Sequence, residues 1–270
     1  MRVPVVCDLD GVVWLGDDPI PGSAAAVASL REAGHRVLFA TNFSFAPVEE
    51  TERKLERVGI PARGDVVTSA QAAAVVVHPG ERVLVCGGPG IVQAVEQRGA
   101  EVVTRGRIDA VIVGFHRTFD FDAMTRASSA VRAGARLIGT NDDATYPTPQ
   151  GEIPGGGAIL ASVQVASGAS AIIAGKPHQP MADLVRARLL TGGVEPGSDA
   201  IDGSLLDRMV MGMVMVGDRP STDGLFARRL GCRYAQVWSG VMKANTSIEP
   251  HPDLTADDLA GVAELLLRER

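Results

Sequence analysis

Two aspartates near the start of the chain, separated by one residue, have the spacing to do chemistry together. Asp8 and Asp10 follow the apolar residues 3–7 and precede Gly11, in the sequence VVCDLDG. Because side chains alternate across a strand, both carboxylates would point to the same side. Carboxylates at the carboxyl end of a parallel strand can bind a metal or supply a nucleophile and an acid. A solvated strand end would have the same pattern, so other residues must decide.

Three further polar clusters follow apolar runs that are typical of buried strands. The clusters, each with the run before it, are Thr41 and Asn42 after residues 36–40, Lys176 after residues 171–174, and Asp218 with Asp223 after residues 209–216. If these strands belong to one parallel sheet, their ends share one edge and the polar groups can meet. Carboxylate oxygens suit Mg²⁺, whereas lysine, hydroxyl and amide groups bind phosphate oxygens. The set therefore predicts phosphate chemistry assisted by a metal.

Strands and helices that alternate with short joins must position these clusters, which predicts an α/β protein with a parallel sheet. The alternation restarts near Pro79, and the first pattern resumes at Lys176. We therefore predict a core formed by residues 1–78 and 171–270, with the strand before Lys176 in the core sheet. Residues 79–170 would form an inserted second α/β domain.

Some local expectations concern single segments. Residues 12–21 predict a hairpin over the Asp8 and Asp10 tip, and Ser23 predicts the N-cap of a helix over residues 24–33. Residues 87–90, Gly-Gly-Pro-Gly, predict a tight turn, since the third glycine of a dinucleotide fingerprint is missing. Residues 140–157 predict a polar loop, whose first part would either contact a ligand or cap a helix.

Composition excludes several classes of function. The chain has 270 residues and a net charge of −6, which argues against binding to nucleic acid through a basic surface. No apolar run approaches the roughly 20 residues that span a bilayer, and no signal peptide precedes the first strand. The three cysteines are odd in number and far apart, so they predict neither a disulfide framework nor a zinc site. We expect a cytoplasmic protein without nucleic-acid or membrane partners.

The motifs resemble, in their order along nearly the whole chain, those of the haloacid dehalogenase (HAD) superfamily, in particular its subfamily IIA, the NagD-like or p-nitrophenylphosphatase group. The matching motifs of the core are DLDGV at 8–12, PIPG at 19–22, Thr41-Asn42 with Ser44, GKP at 175–177 and GDRPSTD at 217–223. Residues 110–115, 139–143, 154–159 and the tail 251–262 are similar as well. The resemblance implies a Rossmann-like, doubly wound core whose inserted α/β cap selects the substrate, and pairing of two copies through the cap.

The resemblance also implies a function and a role for each residue. The implied enzyme is an Mg²⁺-dependent phosphatase that hydrolyses small phosphomonoesters, such as a sugar phosphate, glycerol phosphate, phosphoglycolate or nucleoside monophosphate. Asp8 would be the nucleophile that becomes an aspartyl phosphate, and Asp10 would be the general acid and base. The implied ligand sets are Thr41, Asn42 and Lys176 for the phosphoryl group, and Asp8, Asp10 (through its main-chain carbonyl), Asp218 and Asp223 for the metal.

Other functions remain open at this point. The superfamily includes phosphomutases and dehalogenases, although dehalogenases lack the second aspartate and the acids of the metal site. A non-catalytic protein that binds phosphorylated metabolites is a further alternative.

Two features depart from the family pattern: Phe43 stands where asparagine is usual, and the segment 198–212 is longer. His178, close to Lys176, would either contact the substrate or lie at the surface.

Overall fold

The computed structural model describes residues 2–148, 151–191, 212–240 and 248–269. The chain divides into two compact units. The first unit comprises Met1–Thr41, Glu52–Val67 and Ala182–Arg270, and the second comprises Asn42–Thr51 and Thr68–Met181. The division into a core and an inserted cap at residues 79 and 170 stays a prediction.

Strands and helices alternate along both units. The strands are β1 (Val5–Cys7), β2 (Trp14–Leu15), β3 (Asp18–Pro19), β4 (Val37–Thr41), β5 (Val66–Thr68), β6 (Arg82–Cys86), β7 (Glu101–Val102), β8 (Ala110–Val113), β9 (Arg136–Gly139), β10 (Thr145–Thr148), β11 (Gly151–Pro154), β12 (Ile172–Ile173), β13 (Val214–Gly217), β14 (Arg233–Val237) and β15 (Leu254–Ala256). The helices are α1 (Ser23–Glu32), α2 (Val48–Arg57), α3 (Ser69–Val75), α4 (Pro89–Gln97), α5 (Phe121–Arg132), α6 (Gly156–Ser167), α7 (Gln179–Thr191), α8 (Leu225–Leu230) and α9 (Leu259–Arg268).

The sheet of the first unit has six strands in the order β15-β14-β13-β1-β4-β5. Strand β1 lies inside the sheet and pairs in parallel with both β13 and β4. The chain first adds β4 and β5 on one side of β1, and later adds β13, β14 and β15 on the other side. All residues of β1, β4 and β13 are buried. Such fully buried strands are typical of a parallel sheet with both faces covered. The predicted α/β class with a parallel sheet is confirmed.

The second unit contains its own parallel sheet, in the order β12-β9-β8-β6-β7. Apolar residues of β6, β8 and β9 form its core together with those of α5 and α6. The prediction that the strand before Lys176 belongs to the core sheet is wrong, because β12 pairs with β9 through Ile172 and Ile138. A two-residue strand carries too little pattern to indicate its sheet. A further hairpin, β10 and β11, pairs in antiparallel fashion.

Two local predictions are wrong at helix starts. The N-cap of α1 is Gly22, with φ 84°, rather than Ser23. Ser23 lies inside the helix and its hydroxyl donates to the Val13 carbonyl at 3.3 Å. The predicted turn at 87–90 instead opens α4, with Gly88 as the N-cap and Pro89 in the first turn. Proline suits that position because its missing N–H would have no partner in the helix.

Four strands, β5, β10, β11 and β15, are absent from the predictions. The predicted polar loop 140–157 contains the β10–β11 hairpin, and β15 lies in the polar tail. The predicted hairpin in residues 12–21 is confirmed, since β2 and β3 pair through Trp14 and Pro19. The long segment 198–212, except for its last residue, lies outside the described residues.

The described part of the chain contains no helix that is both long enough and apolar enough to cross a membrane. All three cysteines are buried thiols. Burial raises the pKa of Cys86 to about 11 and that of Cys232 to about 12. Both side chains therefore stay protonated at neutral pH.

Candidate functional site

Three carboxylates of the first unit converge at one edge of its sheet. Asp8, Asp218 and Asp223 each bring one carboxylate oxygen within 4.8 Å of the others. Asp8 directly follows β1, and Asp218 directly follows β13. The main-chain N–H of Asp8 donates to the Val216 carbonyl of β13 at 2.9 Å. Strands β1 and β13 flank the point where the strand order reverses, which is where open α/β sheets bind ligands.

Hydrogen bonds from neighbouring buried groups hold the two later aspartates in place. The Asp218 carbonyl accepts from Nε2 of Gln236 at 2.9 Å, and Oε1 of Gln236 accepts from the Tyr234 hydroxyl. One carboxylate oxygen of Asp223 accepts from the Arg219 main-chain N–H at 3.2 Å. Asp223 lies in the π-helical turn Pro220–Gly224 that precedes α8. A Cβ atom on Gly217, the last residue of β13, would collide with the Asp223 side chain, which therefore lies against the end of its own strand.

The cluster is strongly negative and offers oxygen as its only donor type. Asp218 and Asp223 are buried and Asp8 is half-buried. Burial raises the pKa of Tyr234, and the negative charges of Asp223, Asp218 and Asp8 raise it further. Like charges held this close in a poorly hydrated position repel one another, and a cation bound among them would offset this repulsion. A hard divalent cation such as Mg²⁺ prefers such oxygen ligands, so the residues fit the metal that the resemblance implies.

Glycines form the walls around Asp218. A Cβ atom on Gly11 would lie 2.5 Å from Oδ2 of Asp218, and a Cβ atom on Gly240 would collide with the same carboxylate. Gly11 also has φ +82°, a conformation that residues with a side chain rarely adopt. The sequence around Asp8 and Asp10 thus ends in glycine for two reasons: the sharp turn, and the space that the distant carboxylate needs.

Replacing Gly11 with alanine should weaken Mg²⁺ binding by about tenfold or more, because the new methyl group must displace Asp218. Isothermal titration calorimetry with Mg²⁺ would measure the loss. Gly64→Ala is the matched control, since Gly64 has φ +80° and no atom within 4 Å of a built Cβ. It should destabilise the protein by about 1–2 kcal/mol through backbone strain and leave Mg²⁺ affinity unchanged. Equal affinity losses in both variants would show that strain, not the contact with Asp218, is responsible.

Asp10 lies just after β1 and Thr41 ends β4, and these two strands are adjacent in the first unit. Asp10 is half-buried, and one of its carboxylate oxygens accepts from the Trp14 indole N–H at 3.2 Å. Thr41 is the last residue of β4, which pairs directly with β1, and its side chain is buried. The structure therefore places five of the predicted site residues, Asp8, Asp10, Thr41, Asp218 and Asp223, around the carboxyl ends of three adjacent strands.

Asn42 and Lys176 meet in the second unit through the Asn42 amide. Its Nδ2 donates to Oδ2 of Asp143 at 2.9 Å and to the Lys176 carbonyl at 3.0 Å. Its Oδ1 accepts from the Lys176 main-chain N–H at 2.7 Å. Both N–H groups of this amide are thus engaged within the protein. The Asn42 side chain fixes the backbone that carries Lys176.

Residues 141–143 provide anchors that sequence reasoning did not identify. Asn141 Nδ2 donates to the Asn42 carbonyl at 2.9 Å, and the Ser69 hydroxyl donates to the same oxygen at 2.7 Å. Nε2 of His178 lies 3.1 Å from Oδ2 of Asp142, and this hydrogen bond lowers the pKa of the Asp142 carboxyl. The GTNDD motif at residues 139–143 contained these polar side chains, but the motif did not indicate that Asn141 binds the segment at Asn42 and that Asp142 binds His178.

Phe43 belongs to a row of half-exposed aromatic rings in the second unit. Its ring centroid lies 6.0 Å from that of Tyr146, which lies 5.7 Å from Phe115. The Phe115 centroid lies 6.1 Å from that of Phe45 in an edge-on arrangement. The phenylalanine that departs from the family pattern therefore packs against the β10–β11 hairpin.

Comparison with known proteins gives consistent matches. Residues 5–101 match the family model described as haloacid dehalogenase-like hydrolase, and residues 173–262 match the one described as HAD-hydrolase-like. The chain is 34% identical over 255 residues to the D-glycerol 3-phosphate phosphatase of Mycobacterium tuberculosis. The matched region covers 92% of this chain and 66% of that protein. The chain thus spans about two thirds of that relative's length. It is 33% identical over 214 residues to the acid sugar phosphatase of Staphylococcus aureus, covering 78% of this chain and 82% of that protein.

Solved structures give the same result. The crystal structure of the Mycobacterium tuberculosis glycerol phosphate phosphatase in complex with magnesium is similar with a TM-score of 0.83 and 31% identity, covering 98% of this chain and 78% of that chain. The same protein in complex with calcium gives a TM-score of 0.81 and 31% identity, over 97% of this chain and 76% of that chain.

Proposed function

Because the chain belongs to the haloacid dehalogenase-like hydrolases, we propose that it is an Mg²⁺-dependent phosphatase of small phosphomonoesters. The observation that carries the proposal is the meeting of Asp8, Asp218 and Asp223 at the point where the strand order reverses. The names of the relatives, a glycerol 3-phosphate phosphatase and an acid sugar phosphatase, favour the phosphate esters of polyols and sugars as substrates. Phosphoglycolate and nucleoside monophosphates are further members of the proposed class.

The metal would be held by Asp8, Asp218 and Asp223, with the Asp10 main-chain carbonyl as a further ligand. Bound there, Mg²⁺ supplies positive charge that offsets the repulsion between a carboxylate and a phosphate dianion. One oxygen of Asp8 attacks phosphorus, a new P–O bond forms, and the P–O bond to the leaving alcohol breaks. Asp10 gives its proton to the departing oxygen. Asp10 then takes a proton from water, which attacks the aspartyl phosphate, releases inorganic phosphate and regenerates Asp8.

Three residues would bind the phosphoryl group. The Thr41 hydroxyl and the Lys176 ammonium suit this role because they donate hydrogen bonds to anionic oxygens. The Asn42 side chain already uses both of its N–H groups within the protein, so we assign the contact of Asn42 to its main-chain N–H. Lys176 is only 1% exposed, and little water competes with a phosphoryl oxygen for an ammonium group in such a position.

Phosphate release by the purified full chain tests this proposal. We expect turnover of p-nitrophenyl phosphate and of at least one ester in a panel of sugar phosphates, glycerol phosphate, phosphoglycolate and nucleoside monophosphates, in the presence of Mg²⁺. A phosphomutase would convert one phosphate ester into its isomer without net phosphate release. A binding protein would retain the ester unchanged. Either result would contradict the proposed hydrolysis.

The expected partners follow from the same proposal. We propose that the protein acts on free metabolites, binds no nucleic acid or membrane, and works in the cytoplasm. Pairing of two copies through residues 79–170 also stays a prediction. Light scattering coupled to size exclusion would test it, because a homodimer has twice the chain mass of 28.2 kDa.

A further inference from the structure

The hairpin that follows Asp10 folds back on it. The main-chain N–H groups of Val12, Val13 and Trp14 all point to the Leu9 carbonyl, at 3.2, 2.8 and 3.3 Å. The Gly11 N–H donates to the Trp14 carbonyl at 2.7 Å, which closes the loop. This tight loop brings the indole of Trp14 beside Asp10, where Nε1 lies 3.2 Å from Oδ1 of the carboxyl group. Trp14 is only 3% exposed, so its indole is largely shielded from water.

A lysine of α2 holds the indole from its other side. The Lys54 ammonium lies 4.4 Å from the centroid of the Trp14 ring, which is a favourable distance for a cation–π interaction. The same ammonium donates to the Gly16 carbonyl at 2.6 Å and lies 3.3 Å from Oδ1 of Asp17. Lys54 thus ties both the ring and the turn of the hairpin to the helix.

We propose that Trp14 is a positioning residue for Asp10, and this inference rests on the proposed phosphatase function. An indole N–H can only donate, so the Asp10 oxygen that it contacts must accept. This hydrogen bond fixes the orientation of the Asp10 carboxyl group, and with it the direction from which the group can reach the leaving alcohol. Trp14 therefore orients the group that acts as the acid, and Lys54 keeps the indole in place. Proton transfer of this kind depends on hydrogen-bond geometry before it depends on acidity.

The leaving group provides a readout that a purely structural role for Trp14 would not change. An alkyl phosphate such as glycerol phosphate releases a strongly basic alkoxide and needs the acid. The p-nitrophenolate ion is a weak base and leaves with little help. The value of kcat/KM reports steps up to the first irreversible one, so the ratio of kcat/KM between the two esters isolates the delivery of the proton by Asp10.

Trp14→Phe keeps an aromatic ring for Lys54 but removes the N–H donor together with the second ring of the indole. We expect it to lower kcat/KM for the alkyl ester about tenfold more than for p-nitrophenyl phosphate, as a partial loss of acid catalysis. Lys54→Met should change the ratio in the same direction by less. Leu15→Ala, an exposed position of the same hairpin, should leave the ratio unchanged. In the Asp10→Asn background, Trp14→Phe should have no further effect, because residues that act as one unit are not additive.

An equal loss for both esters in Trp14→Phe would overturn the inference and assign the indole a packing role. An undiminished loss in the Asp10→Asn background would overturn it too, since Trp14 would then act without Asp10. Wild-type protein that releases phosphate from neither ester would overturn the proposed function and the inference with it. If the wild-type protein hydrolyses both esters but Trp14→Phe leaves the ratio of their kcat/KM values unchanged, the inference alone is overturned and the proposed function stands.

Discussion

Replacing Asp8 with asparagine should abolish phosphate release while the protein stays folded. Asparagine has nearly the shape of aspartate, but its amide cannot attack phosphorus. The change also removes one of the three carboxylates that lie within 4.8 Å of one another. Phosphate release by Asp8→Asn should therefore fall below detection with every ester, and circular dichroism should show an unchanged fold.

Two controls make this result specific. Asp18→Asn makes the same chemical change at an exposed position of the β2–β3 hairpin and should retain wild-type turnover. Acid quenching during turnover of a ³²P-labelled ester should trap labelled wild-type protein and no labelled Asp8→Asn. Residual activity above about a tenth of the wild-type rate, or labelled Asp8→Asn protein, would show that Asp8 is not the nucleophile.

Removing divalent cations should also abolish turnover, and Mg²⁺ should restore it. The reason is the acidic cluster, whose buried charges leave a phosphate dianion no favourable approach without a cation. Calcium should occupy the same site but fail to support catalysis. Its looser shell of 6–8 ligands would recruit both Asp8 oxygens and leave neither for attack. Phosphate release after chelation and after addition of each ion measures the effect.

A variant of the cluster separates metal binding from other effects of chelation. Asp218→Ala should raise the Mg²⁺ concentration needed for half-maximal rate by about tenfold or more, as expected when a ligand is lost. Asp257→Ala is a control at an exposed aspartate just before α9. It should leave the Mg²⁺ requirement unchanged. Full activity in excess chelator, or equal rates with calcium, would contradict the proposed metal role.

Much of the acidic cluster could be predicted because each part of it is a local pattern. Asp8 and Asp218 each follow an apolar run, and parallel sheets bring the ends of such runs to one edge. The prediction needed no knowledge of strand order, only that both runs belong to one sheet. The same rule failed for Lys176, because its short strand β12 joins the other sheet.

Features that depend on side-chain contacts between distant segments could not be predicted. Nothing in the spacing of Asn42, Asp143 and Lys176 indicates that one amide joins all three. The turn prediction at Gly88 failed for a similar reason. A Cβ atom there would collide with the main chain of Phe45, so the glycine serves a close approach of two segments rather than a bend. The composition of residues 87–90 does not indicate that Phe45, which is distant in sequence, lies against them.

The position of β1 has a consequence for the synthesis of the protein. Strand β1 leaves the ribosome before every other strand of its sheet, and β4 and β5 can join it early. Its other neighbour, β13, is made only after the whole of the second unit. One edge of β1 therefore stays open during most of translation, and open edges are the sites where nascent chains aggregate. Asp218 directly follows the strand that closes this edge, so the cluster of Asp8, Asp218 and Asp223 can form only in the step that ends the exposure of β1.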